Sequence, residues 1–139
     1  MPDSPRIAVA AGLVFRGGKL LITQRPPGTH LEGYWEFPGG KLEAGESWEE
    51  GLIRELHEEL GIEVTVGRLF AEVTHAYPEK TVHLRFHVCS LRHGEPLPLG
   101  CADLAWVAPE DLARHRFPPA DDSLLARLPF APEFHGKSL

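Results

Sequence analysis

"GGKLEAGESWEEGLIRELHEELGI", residues 39–62, carries seven glutamates and one arginine through a stretch whose apolar residues recur at helical spacing. Ser47 followed by Glu50 has the spacing of a capping box, and Gly61 stands where a helix end needs a left-handed residue. Together they predict a helix over 48–60. On a 100° wheel Trp48, Leu52, Ile53, Leu56 and Leu60 share one arc, the face expected to pack on a core. Glu55 and Glu59, spaced i,i+4, fall at the edge of that arc, with Glu58 one step further round.

A solvated acidic face is the ordinary reading of such a helix, but two residues argue against it. Solvated faces intersperse lysine, whereas Arg54 is the only Lys or Arg between Glu43 and Gly61, placed to pair with Glu50 and Glu58 at i−4 and i+4. Gly51, on the carboxylate side, costs about 1 kcal/mol relative to alanine and leaves room for another segment to approach. Clustered carboxylates without cysteine or paired histidine suit a hard divalent cation, Mg²⁺ or Mn²⁺, which binds phosphates beside one or a few carboxylates.

Upstream, residues 7–15 and 19–24 are short β-prone runs joined by Gly17-Gly18, which predicts a hairpin. Residues 26–45 read as loop, with a short strand at 35–37. Downstream, 63–75, 81–91 and 104–109 read as strands, 109–113 as a short helix start, and 122–128 as a last helix before a loose tail from about 130. This order predicts one α/β domain over residues 1–139 with a mixed sheet.

The net charge of −6 disfavours a nucleic-acid polymer as partner. The apolar run Ile7–Phe15 is about half the length of a membrane span. Cys89 and Cys101 lack the spacing and density of a disulfide scaffold, so a cytoplasmic protein with free thiols and no membrane partner is expected. His75, His83, His87 and His93 sit on strands or loops, without the shared helical face of a zinc site, and read as ordinary histidines.

Gly40, five residues, Glu46, seven residues, then Arg54-Glu55-Leu56-His57-Glu58-Glu59-Leu60-Gly61-Ile62 matches the box of the Nudix hydrolases at every fixed position. "LLITQRP", "YWEFPGGKLEAGE", "HGEPL" and "FPPADDSLLARL" extend the resemblance to the MutT-like branch and span most of the chain. The resemblance implies an α/β/α sandwich with a mixed β-sheet and Mg²⁺-dependent hydrolysis, with Mn²⁺ as a possible substitute. The implied substrate is a nucleoside triphosphate, 8-oxo-dGTP first, cleaved to monophosphate and pyrophosphate, which would clear an oxidised precursor before DNA replication. CTP, dCTP or another nucleoside diphosphate derivative is the alternative substrate. A non-catalytic binding module is the alternative of another class, and a monomer or weak dimer is expected.

Carried over by position, Glu55, Glu58 and Glu59 are implied metal ligands, with the Gly39 carbonyl as a further one and Glu46 in the outer shell. Arg54 would orient the glutamates. Arg25, Phe37 and Asp121 would surround the base, and Lys41 would meet phosphate.

Two positions depart from the branch. Asp121 stands in place of an asparagine whose amide can both donate and accept, and an ionised aspartate only accepts. Gly100 stands six residues before Trp106, where a glutamate is frequent, leaving Asp103 as the nearest acid. The base would then be a box glutamate or a water activated by the metal.

Overall fold

In the computed structural model, which describes residues 5–135, β1 (Arg6–Arg16) and β2 (Lys19–Gln24) form the expected hairpin. Phe15 faces Leu20, and Arg16 faces Lys19. Gly17 and Gly18 both take positive φ, 58° and 74°, as a two-residue turn matched to strand twist demands. β3 (Trp35–Glu36) pairs with β2.

β4 (Gly39–Lys41) is a strand where loop was expected. Its glycines carry no side-chain pattern, yet its backbone pairs antiparallel with Val9, Ala10 and Ala11. α1 (Trp48–Leu60) has the predicted bounds and both halves of the capping box.

β5 (Glu63–Ala76) and β6 (Thr81–His93) make a long antiparallel pair, and β7 (Asp103–Val107) pairs with β2. The sheet runs β3-β2-β1-β6-β5, with β4 also on β1 and β7 also on β2. Because β1 and β6 are parallel while the other pairs are antiparallel, the sheet is mixed, as the sequence implied.

Alternation along β1 and β2 splits the core into two layers. Ala10, Val14 and Leu21 meet Leu52, Leu56 and Leu60 of α1. These three leucines are fully buried, each worth about 1.5–3 kcal/mol in area removed from water. Ile53, expected on the packed face, is instead 37% exposed, because the helix rests on its i,i+4 row through Leu52 and leaves the next residue at the margin.

The other face of the sheet is covered by the chain after β7. A 3-10 turn at Pro109–Arg114, α2 (Asp122–Arg127) and further 3-10 turns bring Leu112, Leu124, Leu128 and Phe134 onto Leu13, Leu20, Ile22 and Phe86. The last α-helical stretch ends one residue short of the expected 128, where Leu128 begins a 3-10 turn. The segment from 130 is not loose as far as 135. Phe134 is 5% exposed and packs edge-on against Phe15 at 5.0 Å, and Glu133 takes two hydrogen bonds from Arg68. No helix among the described residues is long and apolar enough to cross a membrane.

Candidate active site

The site grows from the contact of α1 with β4. Glu55 and Glu59, one turn apart, sit on the flank of the buried leucine row. Glu55 comes so close to β4 that a Cβ on Gly40 would run into its carboxylate, and a Cβ on Gly39 would run into the Ala10 carbonyl. The two glycines therefore allow the strand, the hairpin and the helix to meet at one point. Gly51 makes the corresponding room further back, filled by the side chain of Leu42 rather than by backbone.

Arg54 organises the remaining carboxylates. Its guanidinium holds Glu46 at both oxygens, at 2.6 and 3.0 Å, and also reaches Glu55 at 3.0 Å, Glu58 at 3.1 Å and the Lys41 carbonyl at 3.1 Å. The expected pairing with Glu58 is present. The one with Glu50 is not, because Glu50 closes the capping box by accepting from the Ser47 N–H at 2.9 Å. Hydrogen bonds from Arg54 and then from the Glu43 N–H hold the Glu46 carboxyl below its ordinary range.

Glu59 is in the opposite condition. Burial first, then the neighbouring charge of Glu55, pushes its carboxyl up to about 8. Two carboxylates of one helix face thus lie together with too little positive charge to satisfy both. A divalent cation would take the place of the proton Glu59 otherwise keeps, and the all-oxygen donor set fits Mg²⁺ or Mn²⁺. Among the described residues no three His, Cys, Asp or Glu side chains form a complete cage. His83 is bound to Glu72 at 2.8 Å and His87 to the Gly67 carbonyl at 3.2 Å.

An open cleft of about 590 Å³ adjoins this corner, and Arg25, Phe37, Lys41 and Asp121 all line it. Phe37 is both core and wall: 5% exposed, it stacks on Phe117 at 5.1 Å and meets Phe86 edge-on at 5.9 Å. Arg25 is fixed by the His30 carbonyl at 2.5 Å and by Glu36 at 3.2 Å. Lys41 is exposed and makes no ion pair among the described residues. Asp121 is 9% exposed, and burial, followed by the charges of Glu36 and Asp122, pushes it up to about 6.

Sequence reasoning passed over Glu36, which faces Thr23 across β2 and β3 and lines the cleft beside Arg25. Burial outweighs its arginine partner and raises its carboxyl. Tyr77 and Lys80, in the β5–β6 turn, reach the same cleft. The only signal for Glu36 was its place between Trp35 and Phe37, and none marked the turn. Asp103, the acid nearest Gly100, accepts from the Leu104 N–H at 2.8 Å.

A family model for the NUDIX domain matches residues 10–127, and the chain belongs to the Nudix family. It is 41% identical to the CTP pyrophosphohydrolase of Escherichia coli, over 86% of this chain and 88% of that protein. It is 37% identical to the 8-oxo-dGTP diphosphatase of Haemophilus influenzae, over 91% and 93%. Among solved structures, the Escherichia coli ORF135 protein superposes with a TM-score of 0.77 at 37% identity, over 92% of this chain and 93% of that one. A MutT structure from work on Aliivibrio salmonicida and Vibrio cholerae gives a TM-score of 0.76 at 34% identity, over 90% and 97%.

Proposed function

We propose that residues 1–139 act as one domain, a monomer or weak dimer, that hydrolyses nucleoside triphosphates to monophosphate and pyrophosphate. The preferred substrate is 8-oxo-dGTP. The observation that carries this reading is the meeting of two features: the under-neutralised Glu55–Glu59 pair beside Gly40, and a cleft of nucleotide size lined by Arg25, Phe37, Lys41 and Asp121. Relatives named 8-oxo-dGTP diphosphatase support it.

Glu55, Glu58 and Glu59 would hold Mg²⁺ with the Gly39 carbonyl, Glu58 from its place beside Arg54 and Glu46 from the outer shell. The ion, when bound, neutralises charge that builds on the phosphate oxygens and makes water a better nucleophile. Arg54 orients Glu46, Glu55 and Glu58 through its guanidinium. Lys41 is free to meet a phosphate, and Phe37 gives the base an apolar wall backed by two further aromatic rings. Asp121 faces the base edge, and its raised proton affinity lets the carboxyl donate as well as accept, as an oxidised guanine edge requires.

CTP is the second reading, favoured by the same residue in its ionised form, which would accept from an amino group. The Escherichia coli CTP pyrophosphohydrolase gives it weight. Incubation with Mg²⁺ and a panel of canonical and oxidised triphosphates, with products resolved, decides between them. Pyrophosphate release chiefly from 8-oxo-dGTP is expected. A preference for CTP or dCTP would move the assignment to the second reading, and no turnover of any nucleotide with either ion would favour a binding module.

A further inference from the structure

Residues 94–100, Gly-Glu-Pro-Leu-Pro-Leu-Gly, leave β6 and cross the C-terminal end of α1 as a strap. Its Leu97 N–H donates to the Leu60 carbonyl at 3.0 Å, and the Leu99 and Gly100 N–H groups both donate to the Glu59 carbonyl, each at 3.0 Å. The last four carbonyls of a helix lack partners within it, so these bonds complete the helix end. Two of the three fall on Glu59.

The strap is fastened on both sides. Glu95 takes two hydrogen bonds from Arg16, at 2.9 and 3.1 Å, and the Arg16 guanidinium lies 4.2 Å over the Trp106 ring. Beyond Gly100, the Ala102 N–H donates to the Gln24 carbonyl at 2.9 Å. Held this way, Gly100 leaves no room for a side chain of its own against the stem of Glu59. A Cβ there would stand 3.2 Å from Glu59 Cγ, 3.3 Å from its Cα and 3.4 Å from its Cβ, closer than a packed interior accepts without displacement.

We propose that Gly100 is a positioning residue for Glu59. Its lack of a side chain leaves the Glu59 stem undisplaced while its N–H holds the carbonyl, so the Glu59 carboxylate is kept beside Glu55. The position does not supply a carboxylate of its own. It sets the orientation of one on α1. This inference rests on the reading of Glu59 as a cation-holding residue.

The test is a double-mutant cycle read by Mn²⁺ binding to the full chain without nucleotide, with free Mn²⁺ followed by electron paramagnetic resonance. Gly100→Ala should weaken binding about fivefold or more in the wild-type background, and less than about twofold in Glu59→Gln, because contacting residues couple and independent ones add. Equal losses in both backgrounds, or no loss in either, would overturn the proposal. If Gly100→Ala does not fold by circular dichroism, Leu99→Pro removes the N–H that the Glu59 and Leu97 carbonyls share and sets its ring methylene against the backbone rather than the Glu59 stem, and the same dependence on background is expected. A wild-type chain that binds Mn²⁺ no better than Glu59→Gln would instead overturn the parent reading of the site, and the inference with it.

Discussion

Arg54 grips Glu46 at both carboxylate oxygens, across eight residues of sequence, and only its remaining nitrogen reaches forward to Glu55 and Glu58. The fork is what connects the loop before α1 to the carboxylates on it. A lysine offers one compact ammonium and cannot make both contacts. Arg54→Lys should therefore lower kcat/KM about 10- to 100-fold, the usual cost of losing a group that orients metal-binding side chains. Steady-state kinetics on the preferred triphosphate check this, and a change within twofold would show that the fork is dispensable.

The crowding of Glu59 against Glu55 makes stability depend on pH when no metal is present. Burial and the neighbouring carboxylate raise Glu59 to about 8 in the folded chain, against about 4.3 for a free glutamate. The folded state thus binds the proton more tightly than the unfolded state. The stability this contributes is complete below the unfolded value and is lost as pH rises through about 8. Thermal unfolding in chelator should show the midpoint falling from pH 5 to pH 8, and Glu59→Gln should flatten that slope and raise the midpoint at pH 8. A midpoint independent of pH in the wild type would contradict the buried pair.

In the proposed function Asp121 carries the choice of nucleotide base. Because its carboxyl is raised to about 6, the protonated form that can donate is populated at mildly acid pH and lost above it. Preference for 8-oxo-dGTP over CTP should decline between pH 5.5 and 7.5. An asparagine donates and accepts at every pH, so Asp121→Asn should remove this dependence and shift the ratio of kcat/KM toward 8-oxo-dGTP by about tenfold or more. Competition assays with both triphosphates measure it, and an unchanged ratio would take Asp121 out of base recognition.

What could be read from the sequence was the part written in local spacing. α1 was recovered with its bounds because Ser47 and Glu50 cap one end within a single turn, Gly61 closes the other end on His57, and the leucine row repeats every four residues. The β1–β2 hairpin followed from two glycines between alternating runs. β4 was not legible, since Gly39-Gly40-Lys41 becomes a strand only by pairing with residues 9–11 of β1. The anchoring of the chain near 134 depends on Phe15, at the opposite end of the sequence.

The candidate site divides in the same way. The Glu55 and Glu59 spacing was visible on the helix wheel, and Arg25, Phe37, Lys41 and Asp121 do share one cleft. Glu36 was missed because its position follows from strand pairing with Thr23, and Glu50 was misassigned because two local partners competed for it. Ile53 shows the limit of a wheel, which gives an angle but not where the neighbouring sheet ends.

The central claim is that the Glu55–Glu59 pair holds the ion on which turnover depends, and it is tested most directly by turnover of Glu55→Gln and Glu59→Gln on the best triphosphate with saturating Mg²⁺. Each substitution keeps the side chain's shape and removes its charge. Both should lower kcat by about 100-fold or more, in the range expected for loss of electrostatic or acid–base groups at a reacting centre, while the metal-free melting temperature is kept or raised. Near-wild-type turnover in both variants would place the reaction elsewhere on the molecule.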